Sequence, residues 1–285
     1  MKPIILENVT KVYRDFWGRT KAEAVHDLSF GVEPGEVFGL LGPNGSGKTT
    51  TLKLMLGLVF PTRGKLWMFE KEPANVAVKR RIGFLPEESY LYSFLTAAES
   101  LRFYARFFDL PDRPGRIREL LDLVGLAYAQ NRPVREYSKG MARRLGLAQA
   151  LVNEPDLLLL DEPTSGLDPI GSHEVKDLIR NLKARGTTII LCSHLLADVE
   201  DVCDRIAILH KGRLQVMGRV DDLLVRRERL QITCTGLDAA GRERVTAGVA
   251  ASGGTVVEVR EERTRLEDLF VRTIRDGNAD AGRSA

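Results

Sequence analysis

A glycine-rich loop between an apolar segment and a helical segment is the feature that most constrains how this chain can fold. The segment from Gly42 to Thr49 fits G-x-x-x-x-G-K-[ST]; it directly follows the apolar run Val37–Leu41 and precedes Thr50–Leu58, whose pattern is helical. Glycines let backbone N–H groups curl around phosphate oxygens, and a helix N-terminus adds a positive dipole. Because the strand, the spacing, the lysine and the threonine all agree, the segment predicts a phosphate-binding loop at the edge of a parallel sheet.

The side chains of this loop predict its ligand. Lys48 is expected to reach the β- and γ-phosphates of a nucleoside triphosphate, and Thr49 is expected to bind Mg²⁺. The residues predicted to contact the nucleotide in this segment are Gly42, Pro43, Asn44, Gly45, Ser46, Gly47, Lys48, Thr49 and Thr50.

A second buried strand ends in two acids. Asp161 and Glu162 directly follow the apolar run Leu157–Leu160. At a strand end beside a phosphate loop, Asp161 suits support of Mg²⁺, directly or through water and Thr49. Glu162, one residue further, is placed to act as a general base on an attacking water. Two acids where a strand meets solvent are the alternative reading, which the neighbouring loop disfavours.

Strand-like and helix-like segments alternate along most of the chain. This alternation predicts an α/β fold with a mainly parallel sheet. Two early strands separated by a polar segment, Arg14–Glu23, predict an antiparallel β part at the N-terminus. The other predicted strands are Ile4–Leu6, Asp27–Val32, Arg81–Leu85, Thr188–Cys192, Ile206–Leu209 and Arg213–Gln215.

Changes in pattern suggest three segments. Residues 1–222 form the predicted main domain, with a helical subdomain at about 88–151 that opens on a capping box of Thr96 and Glu99. Residues 223–276 are predicted to form a small α+β domain, and residues 277–285 a disordered tail. The predicted elements of the small domain are strands at Leu230–Cys234 and Thr255–Val259, and a helix after a second capping box of Thr264 and Glu267.

The composition limits the partners and the compartment. The formal net charge is +3, which does not call for nucleic acid, and no nucleic-acid partner is predicted. The odd cysteine count of three suits a reducing compartment. The N-terminus lacks the apolar run of a signal peptide, and no stretch approaches the ~18 apolar residues that span a bilayer. Any membrane role is therefore expected to depend on a partner.

Three further motifs narrow the class. The segment Tyr137–Met141 reads YSKGM, Pro163–Asp168 follows the two acids, and Ser193-His194 ends a later strand. In this order and spacing, they resemble the nucleotide-binding domain of ABC (ATP-binding cassette) transporters over residues 1 to about 220. The strings SKGM, GLAQAL and LEDLF resemble the ATPase subunits of bacterial ABC-2-type exporters.

The resemblance implies a P-loop NTPase fold with a RecA-like core, and a head-to-tail homodimer with two ATP molecules at its interface. Ser138 and Gly140 would contact the γ-phosphate of ATP held by the other subunit. A hydroxyl and backbone N–H groups at a helix start agree with that role. Asp168 would lie in the loop that crosses the interface, and His194 would contact the γ-phosphate during catalysis.

The resemblance also implies an aromatic ring stacked on adenine. Tyr13 matches that position, and Phe16 and Trp17 are nearby alternatives. In two places the sequence departs from the family pattern. Glu87 stands where a glutamine is usual, so it can bind Mg²⁺ but adds negative charge near the γ-phosphate. Lys139 stands where a glycine is usual, and its side chain either points outward or approaches the triphosphate.

These residues together predict an ATP-hydrolysing subunit, with ATP and Mg²⁺ bound, that drives a separate transmembrane permease of ABC-2 type. The expected location is cytoplasmic, on the inner face of the cell membrane. The alternative is a soluble ABC ATPase that acts on a non-membrane macromolecule. Ribosome-acting members carry two cassettes and DNA-repair members carry long coiled coils, and neither feature is present. A subunit that binds ATP without turnover is disfavoured by the full set of Lys48, Asp161, Glu162 and His194.

An aromatic-rich segment predicts where the permease would bind. Between Ser89 and Phe108 one helical stripe suffices to bury a helix on its own domain; its members are Leu101, Tyr104, Ala105 and Phe108. Phe103 and Phe107 lie on an adjacent face. They either broaden the core or form a groove for a coupling helix of the partner.

Overall fold

The computed structural model of the chain describes residues 2–88, 90–224, 232 and 234–259. The strands are β1 Ile4–Arg14, β2 Thr20–Val32, β3 Val37–Leu41, β4 Arg63–Met68, β5 Ile82–Leu85, β6 Leu157–Asp161, β7 Thr188–Ser193, β8 Arg205–His210 and β9 Arg213–Arg219. The α-helices are α1 Lys48–Met55, α2 Val76–Lys79, α3 Ala97–Ala105, α4 Arg113–Leu123, α5 Lys139–Ala150, α6 Pro169–Ala184, α7 Leu196–Val202, α8 Val220–Leu224 and α9 Ala239–Ala251. Two 3₁₀ turns, Ala127–Ala129 and Val134–Glu136, precede α5.

A six-stranded sheet forms the centre, in the order β5-β6-β7-β3-β8-β9. The pairs from β5 to β8 are parallel, and the β8–β9 pair is antiparallel. Because both faces of a parallel sheet are covered, its strands are continuously apolar. Every residue of β3, β6 and β7 is buried. The predicted α/β class with a mainly parallel sheet is confirmed.

Each central strand sends alternate side chains into two different cores. In β6, Leu157 and Leu159 belong to the core shared with the N-terminal sheet. Leu158 and Leu160 belong to the core shared with α3, α4, α5 and α6. Burying four leucines of one strand stabilises the fold by roughly 1.5–3 kcal/mol each. The strand end that carries Asp161 is thereby fixed from both sides.

The second sheet is antiparallel, with the order β2-β1-β4. Its strands are much longer than the predicted Ile4–Leu6 and Asp27–Val32, and most of the supposed polar separator Arg14–Glu23 belongs to β1, β2 and the turn between them. The distal half of this hairpin is largely exposed, so it lacks the apolar alternation that marks a strand in sequence. The same reason explains why β4, whose first three residues are exposed, was not predicted.

The helical part between β5 and β6 contains α3, α4 and α5. The capping box predicted before α3 is confirmed: the Thr96 hydroxyl accepts from the Glu99 N–H at 3.2 Å, and a Glu99 carboxylate oxygen accepts from the Thr96 N–H at 2.9 Å. Leu101 on α3, Leu120 on α4 and Leu145 on α5 are fully buried in one core. The helix that begins just after Ser138 is therefore packed rigidly on the sheet.

The chain divides into a unit of Met1–Leu223 and a unit of Leu224–Ala285. In the second unit the structure describes one helix, α9, which was not predicted. Thr255–Val259 was predicted as a strand and is not one. Val257 and Val259 are exposed, and no described strand pairs with them, so the alternation there buries nothing. The predicted strand Leu230–Cys234 lies largely outside the described residues, and the second capping box wholly so.

No helix in the described ranges is both long enough and apolar enough to cross a membrane.

Candidate functional site

Three neighbouring strands end at one edge of the central sheet and bring the chemical groups together. β7 lies between β6 and β3, with Asp161 paired to Cys192 and Leu41 paired to Ser193. The glycine loop after β3, the acids at the end of β6 and His194 after β7 therefore meet at the carboxyl ends of parallel strands. That edge is where ligands bind in open α/β sheets.

The glycine loop adopts a conformation that only glycine tolerates at two positions. Gly42 and Gly47 have φ of 151° and 107°. A Cβ on Gly47 would lie 2.6 Å from the Ala24 carbonyl oxygen. A Cβ on Gly42 would collide with the Leu209 carbonyl oxygen. The loop is thus pressed against β2 and β8, and its exposed tip at Pro43–Gly45 faces solvent.

The inner side of this loop is lined by hydrogen-bond donors. No side chain caps the N-terminus of α1, so its first N–H groups point into the loop. The buried Ser46 hydroxyl has no hydrogen-bond partner among the described residues. Lys48 is buried, and its Nζ donates to the Gly42 carbonyl at 2.6 Å. This arrangement fits a bound anion such as a polyphosphate.

Glu162 lies between a lysine and a histidine. One of its carboxylate oxygens, Oε1, is 4.0 Å from Lys48 Nζ, and the other, Oε2, is 2.9 Å from His194 Nδ1. The Glu162 side chain is 7% exposed, whereas His194 is half-exposed. The backbone of Glu162 is in the left-handed region, with φ of 49°. Such strain persists only where the surroundings hold the residue in place.

Asp161 and Thr49 form the group that fits Mg²⁺. Burial and the nearby charges of Glu162 and Glu87 raise the pKa of Asp161 to about 6, while Lys48 and a hydrogen bond with Thr49 oppose the rise. Among the described residues no cluster of three or more His, Cys, Asp or Glu side chains is placed to bind a metal. Mg²⁺ commonly takes one or two protein ligands and completes its shell with phosphate and water. The pair therefore fits Mg²⁺ that arrives with a phosphate.

Glu87 follows β5, which is the neighbour of β6. Its side chain is exposed, and its charge is one of the causes that raise the pKa of Asp161. The structure thus brings Glu87 electrostatically close to the two acids of β6. Its negative charge adds to theirs in the absence of a cation.

Arg143 is part of this site and was not singled out from the sequence. It lies on α5, is buried, and donates to the backbone carbonyls of Glu87 and Glu162. The sequence does hold a signal for this residue, because Arg143 shares one helix face with the apolar residues Leu147 and Ala150. They lie one and two turns further along α5 and are buried. A charged residue on an apolar helix face is rarely buried without a specific set of partners.

The segment Tyr137–Met141 forms the start of α5. Ser138 is the N-cap, and its hydroxyl accepts from the Met141 N–H at 3.2 Å. A Cβ on Gly140 would meet a single atom within 4 Å, the Ser138 hydroxyl at 3.9 Å, so the space above it is open. Ser138 and Lys139 are exposed. This is a second exposed helix start with room for an anion.

Lys139 folds back onto its own chain. Its ammonium lies over Gly166 in the loop that follows Glu162, where a Cβ would overlap it. Neither sequence alternative, outward or toward a triphosphate, describes this position. The contact joins the start of α5 to the loop after the acids.

The loop Pro163–Asp168 is fixed at both ends. Asp168 is exposed and is the N-cap of α6, accepting from the Gly171 N–H at 2.6 Å. The Thr164 hydroxyl donates at 2.6 Å to buried Asp198, which lies on α7 just after His194. Asp198 thus ties the loop after Glu162 to the segment after His194. Sequence reasoning missed this link, because no motif joins the two residues.

Tyr13 lies on β1 beside the glycine loop. It pairs with Ala22 on β2, two residues before the Ala24 carbonyl that touches Gly47. Tyr13 is half-buried, while Phe16 and Trp17 are 95% and 79% exposed at the turn and pack edge-to-face on each other. Of the three rings, Tyr13 is the one whose strand position is tied to the loop.

The comparisons with known proteins agree with this geometry. The family described as ABC transporter matches residues 25–165, which include the glycine loop and both acids. An uncharacterized ABC transporter ATP-binding protein of Synechocystis sp. is 39% identical, over 96% of this chain and 87% of its own length. A fluoroquinolones export ATP-binding protein of Mycobacterium tuberculosis is 43% identical, over 73% of this chain and 69% of its own. A dimeric ATP-binding cassette in a post-hydrolysis state, bound to ADP and Pi, superposes with a TM-score of 0.68 at 26% identity, covering 76% of this chain and 98% of that structure. The predicted P-loop NTPase fold is confirmed.

Proposed function

The chain belongs to the ABC transporter family of ATP-binding proteins, and on that premise we propose that it hydrolyses ATP to drive a separate transmembrane permease. One observation carries the proposal: Lys48, Glu162 and His194 converge at the phosphate loop, with Glu162 within 2.9 Å of His194 and 4.0 Å of Lys48. A carboxylate held between a phosphate-binding lysine and a histidine is placed to act on water beside a terminal phosphate.

In the proposed reaction the phosphate loop holds the β- and γ-phosphates of ATP. Lys48 exchanges its bond to the Gly42 carbonyl for bonds to phosphate oxygens. Its Nζ lies 4.0 Å from Glu162 Oε1 before that exchange. Glu162 accepts a proton from the attacking water, the water oxygen bonds to the γ-phosphorus, and the bond to ADP breaks. His194 orients Glu162 through Nδ1 and, being half-exposed, is free to contact the γ-phosphate.

We propose that Thr49 and Asp161 would hold Mg²⁺ at this site. When bound, Mg²⁺ neutralises charge on the β- and γ-phosphates. The acids favour a cation there, since the mutual repulsion of Asp161, Glu162 and Glu87 contributes to the raised pKa of Asp161. Glu87 is proposed as a further ligand or as a holder of the attacking water.

We propose that two copies of the chain assemble head to tail. Each would place Ser138 and Gly140 against the ATP held by the phosphate loop of the other. The open space above Gly140 and the exposed N-terminus of α5 support this arrangement. The solved relative with ADP and Pi is itself a dimer. Asp168, at an exposed helix start, would lie near the interface.

An aromatic patch on the helical part is the proposed contact with the permease. We define it as Tyr92, Phe94, Phe103 and Phe107, whose rings pack on one another at centroid distances of 5.5–5.8 Å. Phe107 is 69% exposed and Phe103 is 37% exposed, so they are not core residues. Aromatic side chains at a surface carry much interface energy when a partner buries them. Binding of the permease at this patch would place the chain on the inner face of the cell membrane. The similarity to the fluoroquinolones export ATP-binding protein favours a permease that exports.

The patch predicts the effect of two substitutions. Phe107→Ala or Phe103→Ala should leave the chain folded with unchanged ATPase activity, but should reduce its recovery with a multi-span membrane protein from detergent-solubilised membranes. The measurement is affinity purification of the tagged chain, with the partner identified by mass spectrometry. Phe60→Ala is the matched control, because Phe60 is 64% exposed and belongs to the loop before β4. A loss of stability of roughly 3–5 kcal/mol, typical of a core truncation, would contradict the proposal.

Two substitutions of Glu87 should lower ATP turnover to different degrees. Glu87→Gln should keep ATP turnover within about threefold, since an amide oxygen can still accept or coordinate, and one negative charge is removed. Glu87→Ala should lower turnover by about tenfold or more, because a hydrogen bond to a charged group is worth about 1.5–3 kcal/mol. Steady-state phosphate release over a range of Mg²⁺ concentrations measures both. Equal behaviour of the two variants, or an equal effect of the neighbouring control Glu88→Ala, would show that the Glu87 side chain does not act at the nucleotide.

A further inference from the structure

Arg143 makes an unusually complete set of bonds to backbone. A guanidinium has five N–H donors. Nε donates to the Pro163 carbonyl at 3.0 Å, one Nη donates to the carbonyls of Pro86 and Glu87, and the other donates to those of Asp161 and Glu162 at 2.6 and 2.7 Å. Each of the five donors thus has a different carbonyl partner.

These five carbonyls belong to the two segments that carry the acids of the site. Pro86 and Glu87 follow β5, and Asp161 to Pro163 end and follow the neighbouring strand β6. A single side chain therefore fixes the spacing between Glu87 on one segment and Asp161 and Glu162 on the other. Because these five partners are backbone carbonyls, the five bonds fix the chain path without using the carboxylates of Glu87, Asp161 and Glu162.

The charge of Arg143 also suits the site. Burial lowers the pKa of Arg143 to about 10, while the charges of Asp161, Glu87 and Glu162 oppose that fall. The group therefore stays protonated at neutral pH. A buried cation beside three carboxylates is stable only when its donors are satisfied, as they are here.

Loss of these bonds should displace Glu162 more than the other residues of the site. Its left-handed backbone, with φ of 49°, needs support from its surroundings. Its N–H donates to the Cys192 carbonyl at 2.9 Å, and its own carbonyl accepts from Arg143. Without Arg143, the backbone of Glu162 would lose the bond that holds its carbonyl, and a displacement of about 1 Å at a catalytic group can cost about 10²-fold in rate.

We propose that Arg143 is a positioning residue that holds Glu87 and Glu162 of its own chain in register for catalysis. The inference rests on the proposed ATPase function. It predicts an effect on turnover rather than on ATP affinity, because the phosphate loop, and not the segments held by Arg143, supplies the donors to the triphosphate.

The first test compares substitutions at two adjacent arginines of α5. Arg143→Met removes all five donors, and Arg143→Lys keeps the charge with fewer reachable carbonyls. Both should lower kcat by about 10–100-fold, Lys less than Met, while the Kd for ATP changes by less than about threefold. Arg144→Met is the control: Arg144 bonds the Val124 carbonyl at 3.1 Å and lies 3.5 Å from Glu174. It should keep the wild-type kcat. If Arg143→Met fails to fold, Arg143→Lys decides the question.

The second test places Arg143→Met in one chain of a heterodimer. A Lys48→Ala chain paired with a Ser138→Arg chain leaves one competent site, built from the phosphate loop of the Ser138→Arg chain and the α5 start of the other. Arg143→Met should lower turnover by about 10–100-fold when added to the Ser138→Arg chain, whose own Glu162 is used. It should have little effect when added to the Lys48→Ala chain.

The outcomes separate the two proposals. The positioning role would be overturned if Arg143→Met lowered turnover equally in both heterodimers. It would also be overturned if homodimers of the Arg143 variants kept a kcat within twofold of wild type. If wild-type protein neither binds nor hydrolyses ATP, the proposed function itself is wrong. If the heterodimer without Arg143→Met is inactive, the shared site is wrong, and the kcat and Kd of the homodimers then decide the role of Arg143.

Discussion

Glu162→Gln is expected to bind ATP, to lose nearly all hydrolysis and to accumulate as an ATP-bound dimer. An amide cannot accept the proton of the attacking water, and loss of a general base costs about 10²–10⁴-fold in rate. The substitution keeps the size of the side chain and a possible hydrogen bond to His194, which lies 2.9 Å away. The phosphate loop and the helix start at Ser138 are unchanged, so ATP can still close the dimer. Phosphate release measures turnover, and light scattering with and without ATP measures the dimer.

A matched control for this variant exists in the same chain. Glu154 also has a positive φ, 51° against 49° for Glu162, and it is exposed. It lies 3.7 Å from Arg116, away from the strand ends that form the site. Glu154→Gln should keep wild-type turnover. Near-normal hydrolysis by Glu162→Gln would show that another group activates the water.

The residues that could be predicted from sequence are those whose role is written in local spacing. The glycine loop is recognisable because its glycines, lysine and threonine are consecutive and the flanking strand and helix are regular. Asp161 and Glu162 follow an apolar strand directly. His194, by contrast, is an ordinary strand-end residue in isolation, and it stood out only through its order relative to the other motifs. The assignments of individual site residues stay predictions until the variants are measured.

Arg143 shows what local patterns cannot give. Its partners are carbonyls of Pro86, Glu87 and the segment from Asp161 to Pro163, which lie 18–57 positions away in the chain. Backbone carbonyls carry no residue identity, so no motif records these bonds. The position of Lys139 could not be predicted from sequence either. Its contact with Gly166 depends on how α5 packs against the loop that follows Asp161 and Glu162.

The errors in the fold have a common cause in exposure. Alternating apolar residues predict a strand only when one face is buried and a neighbour supplies hydrogen bonds. The distal hairpin of β1 and β2 pairs well but is largely exposed, so its strands were predicted too short. Thr255–Val259 shows the alternation but has no described strand to pair with and exposes its valines.

Lys48→Ala and Ser138→Arg should each abolish ATP turnover, for different reasons. Lys48→Ala removes the cation that we propose reaches the terminal phosphates of ATP. Ser138→Arg places a bulky cation at the exposed start of α5, where the open space above Gly140 would receive a phosphate of the partner. Removing one preorganised donor to developing charge typically costs about 10²–10³-fold. In a head-to-tail dimer each homodimer has no intact site, so both variants alone should be inactive.

The central claim is that ATP is hydrolysed in sites shared between two copies of this chain, and phosphate release by a heterodimer of the two variants tests it most directly. The Lys48→Ala chain and the Ser138→Arg chain carry different affinity tags, so that the heterodimer can be isolated. If sites are shared, the heterodimer regains turnover at one site, and an unsorted equal mixture reaches at most about a quarter of the wild-type rate. A heterodimer as inactive as the two homodimers, or full activity of either single variant alone, would contradict the claim.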